Sequence, residues 1–334
     1  MGALRFAVVG GGSWGTAFAD LLARRGHDVR LAFRDGAQAR AVAAARENGR
    51  YLPGVALSDG LACVVHEAAT TCADRDVVVI AVPSRAFAAV CADLAPHLAA
   101  GTALLSLVKG LEPGTGERLS VVAARASGDE RRVAVLSGPN HAEEVARGSP
   151  AATVIASASS ELAERLRDAV ASASFRAYSS ADVAGVELCA AAKNVIALAA
   201  GVSDGLGLGD NAKASLITRG LAEMSRLGES VGADRRTFSG LAGLGDLVAT
   251  CCSRHSRNRR AGELLASGVA PAELERQIGM VAEGLTTAPV LERIGRERRL
   301  ELPIAERVCA VLGGEAPRDA VAVLMARPLA AEVV

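Results

Sequence analysis

Residues 4–15 read LRFAVVGGGSWG. Residues 4–9 form a short apolar run, the signature of a buried strand. Gly10, Gly12 and Gly15 follow at G-x-G-x-x-G spacing, and residues 16–25 read as a helix with an apolar face. Each glycine has a physical task. The first permits a tight turn out of the strand, the second lets backbone approach a pyrophosphate, and the third lets the helix pack close to the sheet. The helix start then offers N–H groups and a partial positive charge to the phosphates. Strand, glycine turn and helix in this order predict a dinucleotide site at the head of the chain.

Beyond this unit, apolar β-branched runs recur with helical segments between them. Further candidate strands lie at 28–33, 77–82, 103–108, 132–136, 152–156 and 175–178. Candidate helices lie at 37–47, 85–98, 116–126, 142–147 and 161–172. That alternation predicts parallel β-α-β units and an α/β fold, a Rossmann-type doubly wound parallel sheet. From about Asp182 strand signals vanish. Ala- and Leu-rich stretches at 183–201, 211–231, 259–267, 286–296 and 304–312 read as helices. The expected organisation is a dinucleotide-binding domain over residues 1–181 and an all-α substrate and catalytic domain over 182–334.

The 334 residues suffice for two domains, and 50% hydrophobic with 22% charged residues is ordinary for a globular protein. Lys+Arg and Asp+Glu both total 37. The resulting zero net charge argues against a basic nucleic-acid surface or an acidic tail. Seven cysteines without a C-x-x-C suit reduced thiols in the cytoplasm, with neither a disulfide framework nor a metal site. The short N-terminal apolar run leads into glycines and does not read as a signal peptide. No apolar stretch is expected to approach the roughly 18 residues of a membrane helix.

Several polar positions stand where chemistry is expected. The second strand ends at Phe33-Arg34-Asp35, near the place of a ribose-reading residue ~20 residues past the glycines. Arg34 can meet the 2′-phosphate of NADP, whereas Asp35 would favour NAD. Lys109, at the end of the fourth candidate strand, can hold an anion. Gly138 and Asn140, in Ser137-Gly138-Pro139-Asn140-His141-Ala142, lie where a strand ends and a helix opens, a place for backbone contact with a ligand. Lys193 and Asn194 interrupt an otherwise apolar helix. A buried lysine has its pKa lowered toward neutrality, which suits a general acid/base, while a lysine reaching the surface is the bland alternative. Asp246 and Thr250 are four apart and share a face if helical. Ser256 can cap a following helix and set backbone N–H groups beside Arg257 and Asn258, an arrangement for phosphate.

The runs GGGSWGTA (10–17), SGPNHAEEV (137–145), AKNVIALAAG (192–201), GLGLGDNAKASLITRGLAEM (205–224) and GLGDLVATCCSRHSRN (243–258) resemble those of bacterial NAD(P)-dependent sn-glycerol-3-phosphate dehydrogenases. The likeness runs in order along nearly the whole chain, through Val281-Ala282-Glu283-Gly284 to Leu324-Met325-Ala326-Arg327. It implies reversible reduction of dihydroxyacetone phosphate to sn-glycerol 3-phosphate, feeding glycerophospholipid synthesis. It makes Lys193 the proton donor to the carbonyl oxygen, with Lys109, Asn194, Asp246 and Thr250 as polar companions. Ser256, Arg257 and Asn258 match the substrate-phosphate segment. Ser13, Trp14, Arg34, Lys109, Ala142, Arg257, Val281 and Glu283 match positions lining the cofactor, NADP or NAD. The chain departs from the pattern after Pro139: the family commonly has a small hydroxyl residue and then Phe, and here stand Asn140 and His141. The partner implied is a small-molecule substrate, with no nucleic acid and no membrane span, and a homodimer is left open. Two rivals remain at this point: another two-domain dehydrogenase with an active-site lysine, and a non-catalytic NADP(H) sensor.

Overall fold

In the computed structural model, residues 2–328 are described; the end of the expected second domain, 329–334, lies outside them. The chain forms two compact units, Met1–Val108 with Glu117–Val186, and Lys109–Gly116 with Glu187–Val334.

The first unit is built on eight strands: β1 (Arg5–Val9), β2 (Asp28–Phe33), β3 (Leu61–Val65), β4 (Val77–Ile80), β5 (Ala103–Ser106), β6 (Val133–Ser137), β7 (Ala151–Ser157) and β8 (Phe175–Ser180). They lie in the order β3-β2-β1-β4-β5-β6-β7-β8. The connecting helices are α1 (Ser13–Arg24), α2 (Gly36–Ala45), α3 (Ala68–Cys72), α4 (Ser84–Leu94), α5 (Leu119–Ser127), α6 (Ala142–Ala146) and α7 (Ser160–Val170).

The strand sequences explain why both sheet faces are covered. In β1, Phe6 and Val8 join one buried cluster while Ala7 and Val9 join another. In β4, Val77 and Val79 alternate with Val78 and Ile80 in the same way. Side chains alternate across a strand, so a continuous apolar run supplies core to both faces. The strand order reverses between β1 and β4, the position where open α/β sheets bind ligands.

Two details correct the sequence-based expectation. The sheet is mostly parallel, but β7 runs antiparallel to β6. The connection between them holds only the five-residue α6, too short to cover a sheet face and return the chain for a parallel pairing. An additional strand, β3, also forms, pairing with β2 alone at the sheet edge. Its LACVV is a continuous apolar run, yet only Leu61 in it is buried.

The second unit is helical: α8 (Val183–Gly205, counted here from Glu187), α9 (Asp210–Glu229), α10 (Arg235–Phe238), α11 (Asp246–Cys252), α12 (Arg257–Ala266), α13 (Leu274–Ile278), α14 (Glu283–Arg298), α15 (Pro303–Leu312) and α16 (Pro317–Met325). A further correction concerns α8. Its 23 residues are long and apolar enough to cross a membrane, contrary to expectation, yet 83% of its apolar window is buried. It reads as the core helix of this unit.

Candidate active site

In the helical unit, Lys193, Asp246 and Lys109 come together at α8. Lys193 and Asn194 are each only 4% exposed on this helix. Lys193 Nζ donates to Asp246 Oδ1 at 2.6 Å and to Thr250 Oγ1 at 2.7 Å. Lys109 Nζ donates to the other carboxylate oxygen, Asp246 Oδ2, at 2.8 Å. Asp246 opens α11 directly after an i→i+5 turn over Leu241–Gly245, a local irregularity frequent at functional sites. Thr250 follows one turn later, and its hydroxyl donates to the Asp246 carbonyl at 2.6 Å. Asp246 and Thr250 therefore share the helix face their spacing predicted.

Two lysines thus share one carboxylate at a place nearly closed to solvent. The electrostatics are set by burial and pairing together. Burial pushes the Lys193 ammonium down to about 7; Asp246 opposes that shift and Lys109 adds to it. Burial alone would raise the Asp246 carboxyl, but Lys109 and Lys193 outweigh it and hold the group below its ordinary range. A lysine poised near neutrality and a firmly ionised carboxylate form an acid/base group with a fixed counter-charge.

Asn194 is placed by hydrogen bonds on all sides. Its Nδ2 donates to the Lys109 carbonyl at 2.8 Å and to the Ala190 carbonyl at 3.1 Å. Its Oδ1 accepts from Asn258 Nδ2 at 2.9 Å, and Asn258 Oδ1 accepts from Gly284 N at 2.8 Å. A relay of carboxamides thus ties the Lys109 segment, α8, α12 and the start of α14. It depends on close backbone approach: a Cβ on Gly201 would overlap the Arg259 carbonyl, and one on Gly262 that of Leu198. The resemblance makes Asn194 a polar companion of Lys193; the relay itself has no local sequence signal.

Ser256 caps α12, its Oγ accepting from Arg259 N at 3.2 Å. Arg257, the first residue of that helix, is exposed, while Asn258 is buried. Val281 is half-buried and Glu283 opens α14 in the same unit.

In the sheet unit, Gly10 leaves β1 with φ of 118°, and a Cβ there would stand 2.5 Å from the Ala81 carbonyl oxygen. A Cβ on Gly15 would overlap the Gly10 carbonyl oxygen, whereas one on Gly12 would meet open space. Glycine is thus required for packing beneath the turn and leaves the backbone bare above it. Gly12 also sits at the N-cap of α1 without a side-chain cap, followed by Ser13 and Trp14. The donor set fits a dinucleotide pyrophosphate.

The Trp14 ring lies 5.6 Å from Phe18 and 6.4 Å from Phe175, packed inward. Arg34 is exposed at the end of β2. Asp35 instead caps α2, its Oδ1 accepting from Ala37 N at 2.8 Å and Gln38 N at 3.4 Å. Gly138, at φ of 151°, and buried Asn140 follow β6, and Ala142 opens α6. Asn140 Nδ2 donates to Thr153 Oγ1 at 3.2 Å, and that hydroxyl donates to the Ser137 carbonyl at 3.0 Å.

Known proteins resemble nearly the whole chain. Residues 5–163 match the family model for the NAD-dependent glycerol-3-phosphate dehydrogenase N-terminus, and 182–322 the one for its C-terminus. The glycerol-3-phosphate dehydrogenase [NAD(P)+] of Moorella thermoacetica is 45% identical over 328 residues, covering 98% of this chain and 97% of that protein. The protein of the same description from Streptomyces coelicolor is 47% identical over 326 residues, 97% of each. Among solved structures, glycerol-3-phosphate dehydrogenase from Coxiella burnetii superposes with a TM-score of 0.93 at 38% identity, covering 97% of this chain and 99% of that one.

Proposed function

The chain belongs to the NAD-dependent glycerol-3-phosphate dehydrogenase family, and on that premise we propose how its residues divide the work. The enzyme interconverts dihydroxyacetone phosphate and glycerol 3-phosphate with NAD(P). The observation that carries the assignment of roles is the buried Lys193–Asp246 pair, with Lys109 on the second carboxylate oxygen.

Reduction builds negative charge on the carbonyl oxygen of the substrate. Lys193, as an ammonium, donates a proton there, and the reverse reaction needs it neutral to take the proton back. Asp246 and Thr250 fix the direction of Nζ. Lys109 adds positive field to the developing oxyanion and helps hold substrate and cofactor. Asn194 keeps the Lys109 backbone in place. Arg257, with Ser256 and Asn258 at the start of α12, takes the phosphate, so binding energy remote from the carbonyl aligns it for reaction. The resemblance also assigns Gly138 and Asn140 to the substrate.

Gly10, Gly12, Ser13, Trp14 and Gly15 would hold the cofactor pyrophosphate through backbone, and Arg34 the adenosine end, with Ala142, Arg257, Val281 and Glu283 completing the set. When bound, the nicotinamide supplies the hydride. With Asp35 occupied as a helix cap, Arg34 is the group at the end of β2 able to read a 2′-phosphate, which supports use of NADPH. A cytoplasmic location, supported by seven free thiols, and a role in supplying glycerophospholipid synthesis complete the reading. The test is to follow NADPH and NADH oxidation with dihydroxyacetone phosphate and identify the product. Formation of glycerol 3-phosphate supports the reading; oxidation only with hydroxy-acid precursors would redirect it to another two-domain dehydrogenase.

A further inference from the structure

Asn48 lies in the segment after α2 and is fully buried, 0% exposed. Its Nδ2 donates to the Gly11 carbonyl at 3.0 Å and to Thr16 Oγ1 at 2.8 Å. One amide group therefore grips the glycine turn and the first turn of α1 together, across 37 and 32 residues of sequence. Asn48 is itself held firmly. Its carbonyl accepts from Tyr51 N at 3.1 Å and Leu52 N at 2.8 Å. Leu52 and Val55 pack with Ala17 of α1 in a small buried cluster.

The bond to Gly11 matters because a carbonyl dipole turned toward a phosphate would repel it. Holding that oxygen from below leaves the N–H side of the turn for the anion. Thr16 is the second anchor, and its own N–H closes on the Gly12 carbonyl at 2.9 Å. Both ends of the 12–15 backbone are thereby fixed before any ligand arrives, and preorganised donors lose less on binding. Asn48 Oδ1, by contrast, is buried without a hydrogen-bond partner among the described residues. Burying an unsatisfied acceptor is unfavourable. The position thus keeps a polar group at a cost to stability.

We propose that Asn48 is a positioning residue for dinucleotide binding: through Gly11 and Thr16 it sets the glycine turn in the conformation that receives the cofactor pyrophosphate. The inference rests on the assignment of that turn to the cofactor. Because the pyrophosphate is common to both cofactors, its effect falls equally on NADPH and NADH.

The test uses the full-length protein and its single tryptophan. Trp14 emission overlaps the absorption of reduced nicotinamide, so its quenching reports binding without turnover, and calorimetry gives an independent Kd. Asn48→Ala should raise Kd for NADPH and for NADH alike by roughly tenfold, the effect of losing two modest hydrogen bonds. Asn48→Asp, which turns an oxygen toward the Gly11 carbonyl, should be weaker still. At saturating cofactor, kcat and the KM for dihydroxyacetone phosphate should stay near wild type. Thr16→Val removes the second anchor while keeping Asn48, and should raise Kd by a few-fold; it decides the matter if the Asn48 variants do not fold. Wild-type Kd values in folded Asn48→Ala or in Thr16→Val, whatever their Tm, would reduce Asn48 to a packing residue and overturn the proposal. Failure of the wild-type protein to bind either dinucleotide would overturn the assignment of the turn itself, and the proposal with it.

Discussion

Lys193 Nζ stands 2.6 Å from Asp246 Oδ1, in a pair of which Lys193 is 4% exposed and Asp246 2%. The charge on the lysine is decided by a contest between burial, which removes it, and the carboxylate, which keeps it. With burial winning down to about 7, the group changes charge near neutral pH.

This contest sets the sign of the pH dependence. With Lys193 as the proposed proton donor, reduction needs the ammonium, so its rate should fall as pH rises through about 7, while oxidation of glycerol 3-phosphate should rise over the same interval. Asp246→Asn removes the group that favours the ammonium and leaves Lys109 repelling it. The limb for reduction should then move to lower pH by about one unit or more. The check is a kcat/KM profile in both directions for both proteins. An unmoved limb would mean that Lys193 is not the titrating group.

Arg257 is assigned to the substrate phosphate from its place at the start of α12. A hydrogen bond to a charged group is worth roughly 1.5–3 kcal/mol. Arg257→Ala should therefore lower kcat/KM for dihydroxyacetone phosphate by about ten- to two-hundred-fold. Unphosphorylated dihydroxyacetone should be poor with both proteins and little changed by the substitution. Equal losses on both substrates would exclude Arg257 as the phosphate ligand.

Arg34 is assigned to the 2′-phosphate, which NADH lacks. Arg34→Ala should raise the KM for NADPH selectively, roughly tenfold for a lost charge-assisted contact. NADH should be little altered. A wild-type enzyme strongly preferring NADH, or a variant losing both cofactors equally, contradicts this assignment.

Buried Glu223 of α9 accepts from Ile304 N at 2.7 Å and Ala305 N at 3.4 Å, at the start of α15. Burial pushes its carboxyl up to about 7, against the two backbone donors and Arg226. The folded state therefore holds a proton that the unfolded chain releases at its ordinary, lower pKa. Stability from this group is complete below the unfolded value near 4.5 and is lost as pH rises through about 7, a term of order 3 kcal/mol. Thermal melting of wild type and Glu223→Gln between pH 5 and 8 checks it. Wild type should lose Tm relative to the variant as pH rises, and parallel curves would refute the shift.

What was legible in the sequence is what local spacing encodes. The glycine turn shows because strand, turn and helix are contiguous, and Lys193 because a charge interrupts an apolar helix. The Asp246–Thr250 face follows from helical period. The relay and the Asn48 bridge were not legible, because they join residues 64, 85 and 37 apart through ordinary asparagines with no local signature. Gly284 had a signal in the quoted Val281–Gly284 run, but its purpose appears only where its N–H meets Asn258. The antiparallel β7 escaped for a related reason: strand direction depends on how the connection packs, while the apolar pattern of a strand is the same read either way.

The role proposed for Lys193 is proton transfer to the carbonyl oxygen. Its most direct test is Lys193→Ala, measured at once for turnover and for cofactor binding by Trp14 quenching. A fall in kcat of ~10²–10⁴-fold is expected, the usual contribution of a positioned acid/base group, with Kd for NADPH nearly unchanged. Turnover close to wild type in a folded variant that binds NADPH normally would contradict it.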